Sequence, residues 1–136
     1  MALQTFEDLE VWKRSCRLAV EVRVEFDECK NFTLKDQAQR SAISIPSNIA
    51  EGSERGSDAD FLRFLRYSKG SCAELRTQLY IARKASKRLD LPSLDVPDDL
   101  MGETREIAAM LQGLVNAIDK KSNDPAPSVP KQVTEN

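Results

Sequence analysis

The sequence predicts an all-α protein, an antiparallel up-and-down four-helix bundle with a kinked second helix. Four segments carry apolar residues at spacings of three and four, the period of one helix face. Alternating strand patterns and Asn-Gly hairpin signals are absent from the sequence. Short polar stretches separate the segments, so neighbouring helices must run in opposite directions to bury their stripes against one another.

The first helix is predicted from about Glu7 to Glu28, and its acidic opening turn suits the positive end of the helix dipole. Its apolar stripe consists of Leu9, Trp12, Cys16, Ala19 and Phe26, widened by Val11, Leu18 and Val22. A stripe of this width predicts a helix that buries more than a narrow seam.

The second helix is predicted to begin at a Thr33 cap and to end near Gly52. Its stripe is small: Ala38, Ala42, Ile45 and Ile49. Pro46 removes one backbone donor from the interior of this helix. The stripe stays in phase on both sides of the proline, so we expect a kink, with Ser44, Ser47 or water bonding the freed carbonyl.

The stretch GSERGS after this helix has two interpretations. It could be a glycine-rich phosphate loop before the third helix. However, no strand precedes it, no Gly-Lys-Ser/Thr sequence ends it, and Asp58 and Asp60 stand where phosphate would bind. We therefore interpret Gly52 as the end of one helix and Ser57 as the cap of the next.

The third helix is predicted to follow Ser57 with a heptad seam, and about thirty residues give a rod of roughly 45 Å. The seam is Phe61, Leu65, Ser68, Cys72, Leu75, Leu79, Ala82, Ser86 and Leu89. The fourth helix, ending near Lys121, has the stripe Leu100, Thr104, Ile107, Leu111, Leu114 and Ile118. The predicted domains are a bundle over residues 1–121 and a disordered polar tail over 122–136.

Composition excludes several function classes. The sequence contains no histidine, which removes the commonest general base and the most frequent transition-metal ligand. We therefore expect no catalytic residues, no metal, no cofactor and no small-molecule substrate. An enzyme using carboxylate chemistry at Glu51 and Glu74 is the weakest alternative. No run of 18 apolar residues and no secretory signal is present, so we expect a cytoplasmic protein without a membrane partner.

Three sequence runs resemble a known family. FEDLEVW, QAQRSAISIPSNIAEGSERGSDADFLRFL and GSCAELRTQLYIA closely resemble the four helix bundle proteins, also called 23S ribosomal RNA intervening-sequence proteins, over roughly residues 6–118. These are small bacterial proteins, and relatives serve diversity-generating retroelements. The resemblance implies an antiparallel bundle that forms a ring-shaped homopentamer. It also implies, as a role, binding of RNA, DNA or a nucleic-acid enzyme.

The resemblance marks six polar positions on the second and third helices. They are Gln37, Arg40, Asn48, Glu51, Ser71 and Glu74. We expect these side chains to form a network between the two helices that fixes their register, because an unpaired buried charge is costly. The alternative is that they line a ligand site.

A basic stripe follows the third helix. Residues 58–89 contain eight basic and three acidic residues, a net charge of +5, although the whole chain carries −2. The stripe comprises Arg66, Lys69, Arg76, Arg83 and Lys87, each one residue beyond the apolar seam, and Arg63 beside it is a further candidate contact. It could follow a phosphate backbone, or it could face acidic residues of the first or fourth helix, in the same subunit or the next. A pI near 5.3 disfavours a dedicated nucleic-acid binder.

Three functions remain at this point. The first is a non-enzymatic, self-assembling helical scaffold, a pentamer if the resemblance holds, that recruits a macromolecular partner. Tyr67 and Tyr80 are then expected to face a neighbouring subunit. The second is a protein that binds RNA or DNA through the basic stripe, and the third is the carboxylate enzyme.

Overall fold

The structure is a computed structural model that describes residues 5–91 and 94–123. A short 3-10 helix, Phe6–Asp8, precedes four α-helices. These are α1 (Glu10–Glu25), α2 (Phe32–Glu54), α3 (Asp58–Leu89) and α4 (Asp98–Asn123). Each helix packs against the next, and α4 packs against α1. No strand occurs within the described ranges, so the predicted all-α four-helix fold is confirmed.

The predicted tail, residues 122–136, lies outside the described residues except at its start. Residues 122 and 123 continue α4, which therefore runs two residues beyond the predicted end at Lys121.

The seams of α2 and α3 form the centre of the core. All four predicted stripe residues of α2 are fully buried. In α3 the predicted seam is buried without a break from Leu65 to Ser86, whereas Phe61 is only partly buried and Leu89 is exposed. The predicted heptad seam is thus confirmed from Leu65 to Ser86. The two ends of α3 extend beyond the core.

The structure of α1 differs from the prediction in its length and in its buried seam. The helix is shorter than predicted, because Leu9 has extended backbone and separates the 3-10 helix from α1. Its buried seam is Val11, Ser15, Leu18 and Val22, and most of the predicted stripe lies beside it. Ser15 can be buried because its hydroxyl donates to the Trp12 carbonyl at 3.0 Å. A search for apolar residues alone passes over this position.

A smaller shift occurs in α4. Val115 is buried, whereas the predicted Leu114 and Ile118 are partly buried. The other predicted members, from Leu100 to Leu111, are buried as expected.

The helix α2 begins earlier than predicted and continues through its proline. Asn31, and not Thr33, is the cap, and its side chain accepts from the Leu34 backbone N–H at 3.1 Å. Pro46 is buried inside the unbroken helix. The Ser44 hydroxyl, expected at the freed carbonyl, instead shares a hydrogen bond with the Ser71 hydroxyl of α3.

The interpretation of the α2–α3 turn was half right. Ser57 caps α3 as predicted, since its hydroxyl accepts from the Asp60 N–H at 3.1 Å. Gly52, however, does not end α2, which continues to Glu54. The left-handed residue that makes the turn is Gly56, with φ of 90°.

Gly52 is needed for close helix packing. A Cβ atom at this position would lie 2.5 Å from the Cβ of Phe64 on α3. Nearby, the Ser68 hydroxyl donates to the Ile45 carbonyl of α2 at 2.6 Å. Small residues and hydroxyl groups therefore let the two helix backbones approach one another.

Replacing Gly52 with alanine should destabilise the fold. Alanine has a helix propensity about 1 kcal/mol better than that of glycine, but the clash with Phe64 costs about 1–3 kcal/mol. The two clashing atoms are both Cβ atoms, so they can separate only if the helix backbones move apart. We expect a net loss in the free energy of unfolding, measured by urea denaturation.

The matched control is Gly70→Ala in α3, where an added Cβ meets nothing within 4 Å. Without a clash, alanine should stabilise the protein by about 0.5–1 kcal/mol. Equal effects of the two substitutions would contradict the packing role of Gly52.

Candidate functional site

The middle of the basic stripe on α3 faces α4. The Arg76 Nε donates to the Thr104 hydroxyl at 3.1 Å. Arg83 donates to the Val96 carbonyl at 2.9 Å and pairs with Asp98 at 2.8 Å. These two arginines therefore bind the first turns of α4 and the chain that leads into it.

The stripe continues along α4 toward the other end of the bundle. Lys69 donates to the side-chain oxygen of Gln112, and Arg66 lies 3.5 Å from an Asp119 oxygen. A residue one position beyond the core seam lies about 100° around the helix, which explains why this flank meets the neighbouring helix. These four basic residues therefore contact α4 or its approach in the same chain, and two of them, Arg66 and Arg83, meet acidic residues there as one of the two explanations predicted. Contact with a phosphate backbone or with another subunit stays a prediction.

Arg63 and the last member of the stripe, Lys87, have other surroundings. Arg63 pairs with Asp60 within its own helix at 2.8 Å. Lys87 is exposed, together with Lys84 and Arg88, and none of these three forms a salt bridge within the described part of the chain. The free positive charge of α3 is therefore concentrated at its C-terminal end.

An aromatic and arginine cluster lies near the α2–α3 turn. The guanidinium groups of Arg55 and Arg63 lie 4.8 Å and 5.0 Å from the centre of the Phe64 ring. The Tyr67 ring meets Phe64 edge to face. These contacts hold the arginines against the protein, and each guanidinium also pairs with a carboxylate three or four residues away in the sequence.

Two of the six polar positions taken from the resemblance meet between α2 and α3. The Ser71 hydroxyl bonds to that of Ser44. The Asn48 amide donates to the same Ser44 hydroxyl at 3.1 Å and to the Ser44 carbonyl at 2.8 Å. The structure brings these two residues together through Ser44, a neighbour outside the six positions.

The other four positions lie nearer the surface. Arg40 pairs with Asp36 within α2, and Glu51 pairs with Arg55, the residue that follows the end of α2. Gln37, Arg40 and Glu74 line an open polar cleft of about 520 Å³ between α2 and α3, which Glu51 does not line. The two carboxylates of the enzymatic alternative therefore do not share this cleft.

A groove between α1 and α4 was not predicted from the sequence. Its volume is about 630 Å³. Apolar lining comes from Leu18, Val20, Pro97 and Leu100, and acidic lining from Glu21, Glu25, Asp99 and Glu103. Cys16 and one basic residue, Arg17, complete the lining. Its residues come from two helices far apart in the chain, so no local motif marks it.

A charged clamp fixes one end of this groove. Arg14 of α1 donates to both oxygens of Glu103 on α4, with an Nε to Oε2 distance of 2.9 Å. The hydrogen bond to Glu103, and the charges of Glu103 and Glu106, raise the pKa of Arg14 above its ordinary value. The clamp joins α1 to α4 across the bundle.

The groove also holds a carboxylate with an unfavourable environment. Burial raises the pKa of Glu25 above its ordinary value, and the nearby charges of Asp95 and Glu21 raise it further. The Cys16 thiol in the groove is likewise shifted upward in pKa by burial, which disfavours the reactive thiolate.

The described residues contain no group of three or more side chains that could hold a metal ion. Within the same residues, no helix is long and apolar enough to span a bilayer.

Removing Arg83 should weaken the joint between α3 and α4. In Arg83→Met the Val96 carbonyl loses its donor, and we expect the free energy of unfolding to fall by about 1–2 kcal/mol. The pair with Asp98 adds little, because the Asp98 carboxylate is 95% exposed. The control Lys87→Met, on the exposed end of the same stripe, should change stability by no more than about 0.5 kcal/mol in the same denaturation measurement.

Comparison with known proteins supports the family resemblance. A family model described as 23S rRNA-intervening sequence protein matches residues 7–113, from the 3-10 helix through α3 and into α4. No curated protein matches the chain. The matched range covers most of the chain and contains the three sequence runs that carry the resemblance except for Phe6, the first residue of FEDLEVW. The chain therefore belongs to the 23S rRNA-intervening sequence protein family.

Proposed function

We propose that this protein is a non-enzymatic cytoplasmic scaffold that assembles with copies of itself and recruits a macromolecular partner. The observation that carries the proposal is apolar surface outside the core. Scattered exposed apolar residues are normal, but neighbouring ones indicate a contact surface. Val20 and Val24 lie one turn apart on α1, and Tyr80 and Ile81 adjoin on α3; all four side chains are about half exposed or more.

The placement of polar groups supports a scaffold over an enzyme. Asn48 and Ser71 take part in helix packing, and the stripe arginines bind α4. Glu51 and Glu74, the residues of the enzymatic alternative, are both exposed, and Glu51 is paired with Arg55. Carboxylates used in acid–base catalysis lie within reach of a shared substrate, whereas these two side chains face solvent and line no common cleft.

Self-assembly should be visible directly. Native mass spectrometry and light scattering of the purified chain at micromolar concentration are expected to give one closed oligomer. The family resemblance predicts five copies. A monomer at that concentration would remove the scaffold proposal, because an obligate interface should persist there.

Binding of nucleic acid is the second candidate, and one observation favours it. Lys84, Lys87 and Arg88 form an exposed cationic cluster at the end of α3 without salt bridges in the described residues. Such a cluster could contact phosphates irrespective of sequence.

A filter-binding titration with a 30-nucleotide RNA tests this candidate. Three phosphate contacts predict that log K falls with log salt at a slope of about −2 to −3. Reversing Lys84, Lys87 and Arg88 to glutamate should abolish binding. Reversing the exposed α1 residues Lys13, Arg17 and Arg23 provides the control. Reversal of Arg76 or Arg83 would not be informative, since both residues bind α4.

A further inference from the structure

The groove between α1 and α4 has an apolar floor and an acidic rim. We call it the acidic groove and define its rim by Glu21, Glu25 and Asp99. Leu100 is buried beneath it, whereas Val20 is 60% exposed. An apolar floor that stays open to solvent is a surface able to gain free energy by being covered.

The acidic rim is not neutralised by salt bridges, although one cation, Arg17, also lines the groove. In the part of the chain that the structure describes, Glu21, Glu25, Asp99 and the neighbouring Asp95 form no salt bridge. The nearby cations of α1 have other partners: Arg23 pairs with Asp27, Arg17 with Glu10, and Arg14 with Glu103. A basic group brought into the groove would therefore meet several uncompensated negative charges.

A complementary surface lies on α3 of the same chain. We call it the basic face and define it by Tyr80, Ile81, Lys84, Lys87 and Arg88, all of which are exposed. The Lys84 ammonium lies 5.4 Å from the centre of the Tyr80 ring. The face thus combines two large apolar side chains with three cations that form no salt bridge within the described residues.

The two surfaces are similar in length and lie at the same end of the bundle. From Cys16 to Glu25 the groove follows α1 for about 14 Å, and from Tyr80 to Arg88 the basic face follows α3 for about 12 Å. Both lie at the end of the bundle where α3 leads into α4, as the contact of Arg83 with Val96 shows. They occupy separate sides, because the groove adjoins α1 and α4 whereas the face points out from α3.

We propose that the basic face of one copy docks into the acidic groove of the next copy. This inference rests on the proposed self-assembly and names its two surfaces. Tyr80 and Ile81 cover the apolar floor, while Lys84 and Arg88 meet the rim carboxylates. The contact joins two different surfaces, so each subunit offers one of each and copies add head to tail.

Two charge-reversal variants test the contact. The groove variant carries Glu21→Lys and Glu25→Lys, and the face variant carries Lys84→Glu and Arg88→Glu. Each places like charges together at the proposed contact, and self-association should weaken by on the order of a hundredfold or more. Sedimentation velocity over a concentration series measures it, and circular dichroism melts verify that each variant folds.

The matched control is Glu54→Lys with Asp58→Lys. Both residues are exposed, both lie outside the proposed contact, and the net charge changes as much as in the groove variant. This variant should assemble like the unmodified chain. Equal weakening in the control would attribute the effect to net charge and would overturn the proposal.

A rescue experiment tests whether the groove of one copy pairs with the face of another. A chain carrying all four reversals has a basic groove and an acidic face, and it should assemble again. An equimolar mixture of the groove and face variants should also associate, because each kind of subunit can dock on the other. Alternation cannot close a ring with an odd number of subunits, so the expected result is association of the two chains and not a closed pentamer. Failure of both rescues would overturn the proposal.

The controls also separate this inference from the proposed function. Assembly that persists in both double variants would leave the scaffold standing but overturn the proposed contact. The groove would then accept another occupant, such as a basic segment of a different protein. A monomeric unmodified chain would overturn both.

Discussion

The close approach of α2 to α3 is the constraint on which the rest of the bundle depends. Gly52 leaves room for Phe64, and the Ser44 and Ser71 hydroxyls bond across the same interface. The Ser68 hydroxyl reaches the Ile45 carbonyl just before the buried proline of α2. Larger side chains at these positions would hold the two helices apart. Because the two helices fix each other's register in this way, the opposite flank of α3 is held at the distance that α4 requires.

The charge of α3 has different uses along the helix. In its middle, arginines donate to the Thr104 hydroxyl and to the Val96 carbonyl, which join α3 to α4. At its C-terminal end, the cations are exposed beside Tyr80 and Ile81. A net charge of +5 on one helix therefore does not measure the positive surface that a phosphate backbone could reach. The basic residues in the middle of α3 form contacts within the protein, whereas those at its C-terminal end are exposed and can meet a phosphate.

The sequence predicted most of the fold and part of the site. Heptad spacing identified the core of α3, because that periodicity follows directly from helix geometry. The predicted stripe of α1 did not include Ser15, which lies in the observed seam. Its buried hydroxyl donates to the Trp12 carbonyl of the same helix, and a search for apolar residues does not detect such a position. The stripe was found, but its orientation toward α4 depended on packing between distant segments. The acidic groove was missed for the same reason, since Glu25 and Asp99 become neighbours only in the folded bundle.

The turn at Gly56 has a practical consequence for labelling the protein. This residue adopts φ of 90°, and a Cβ atom added to it would meet nothing within 4 Å. It lies at the opposite end of the bundle from the α3–α4 connection, where Arg83 anchors the backbone at Val96. A fluorescent tag or short epitope inserted at the Gly56 turn should therefore report on the particle while leaving the helices free to pack. The same insertion near residue 96 would displace an anchored segment.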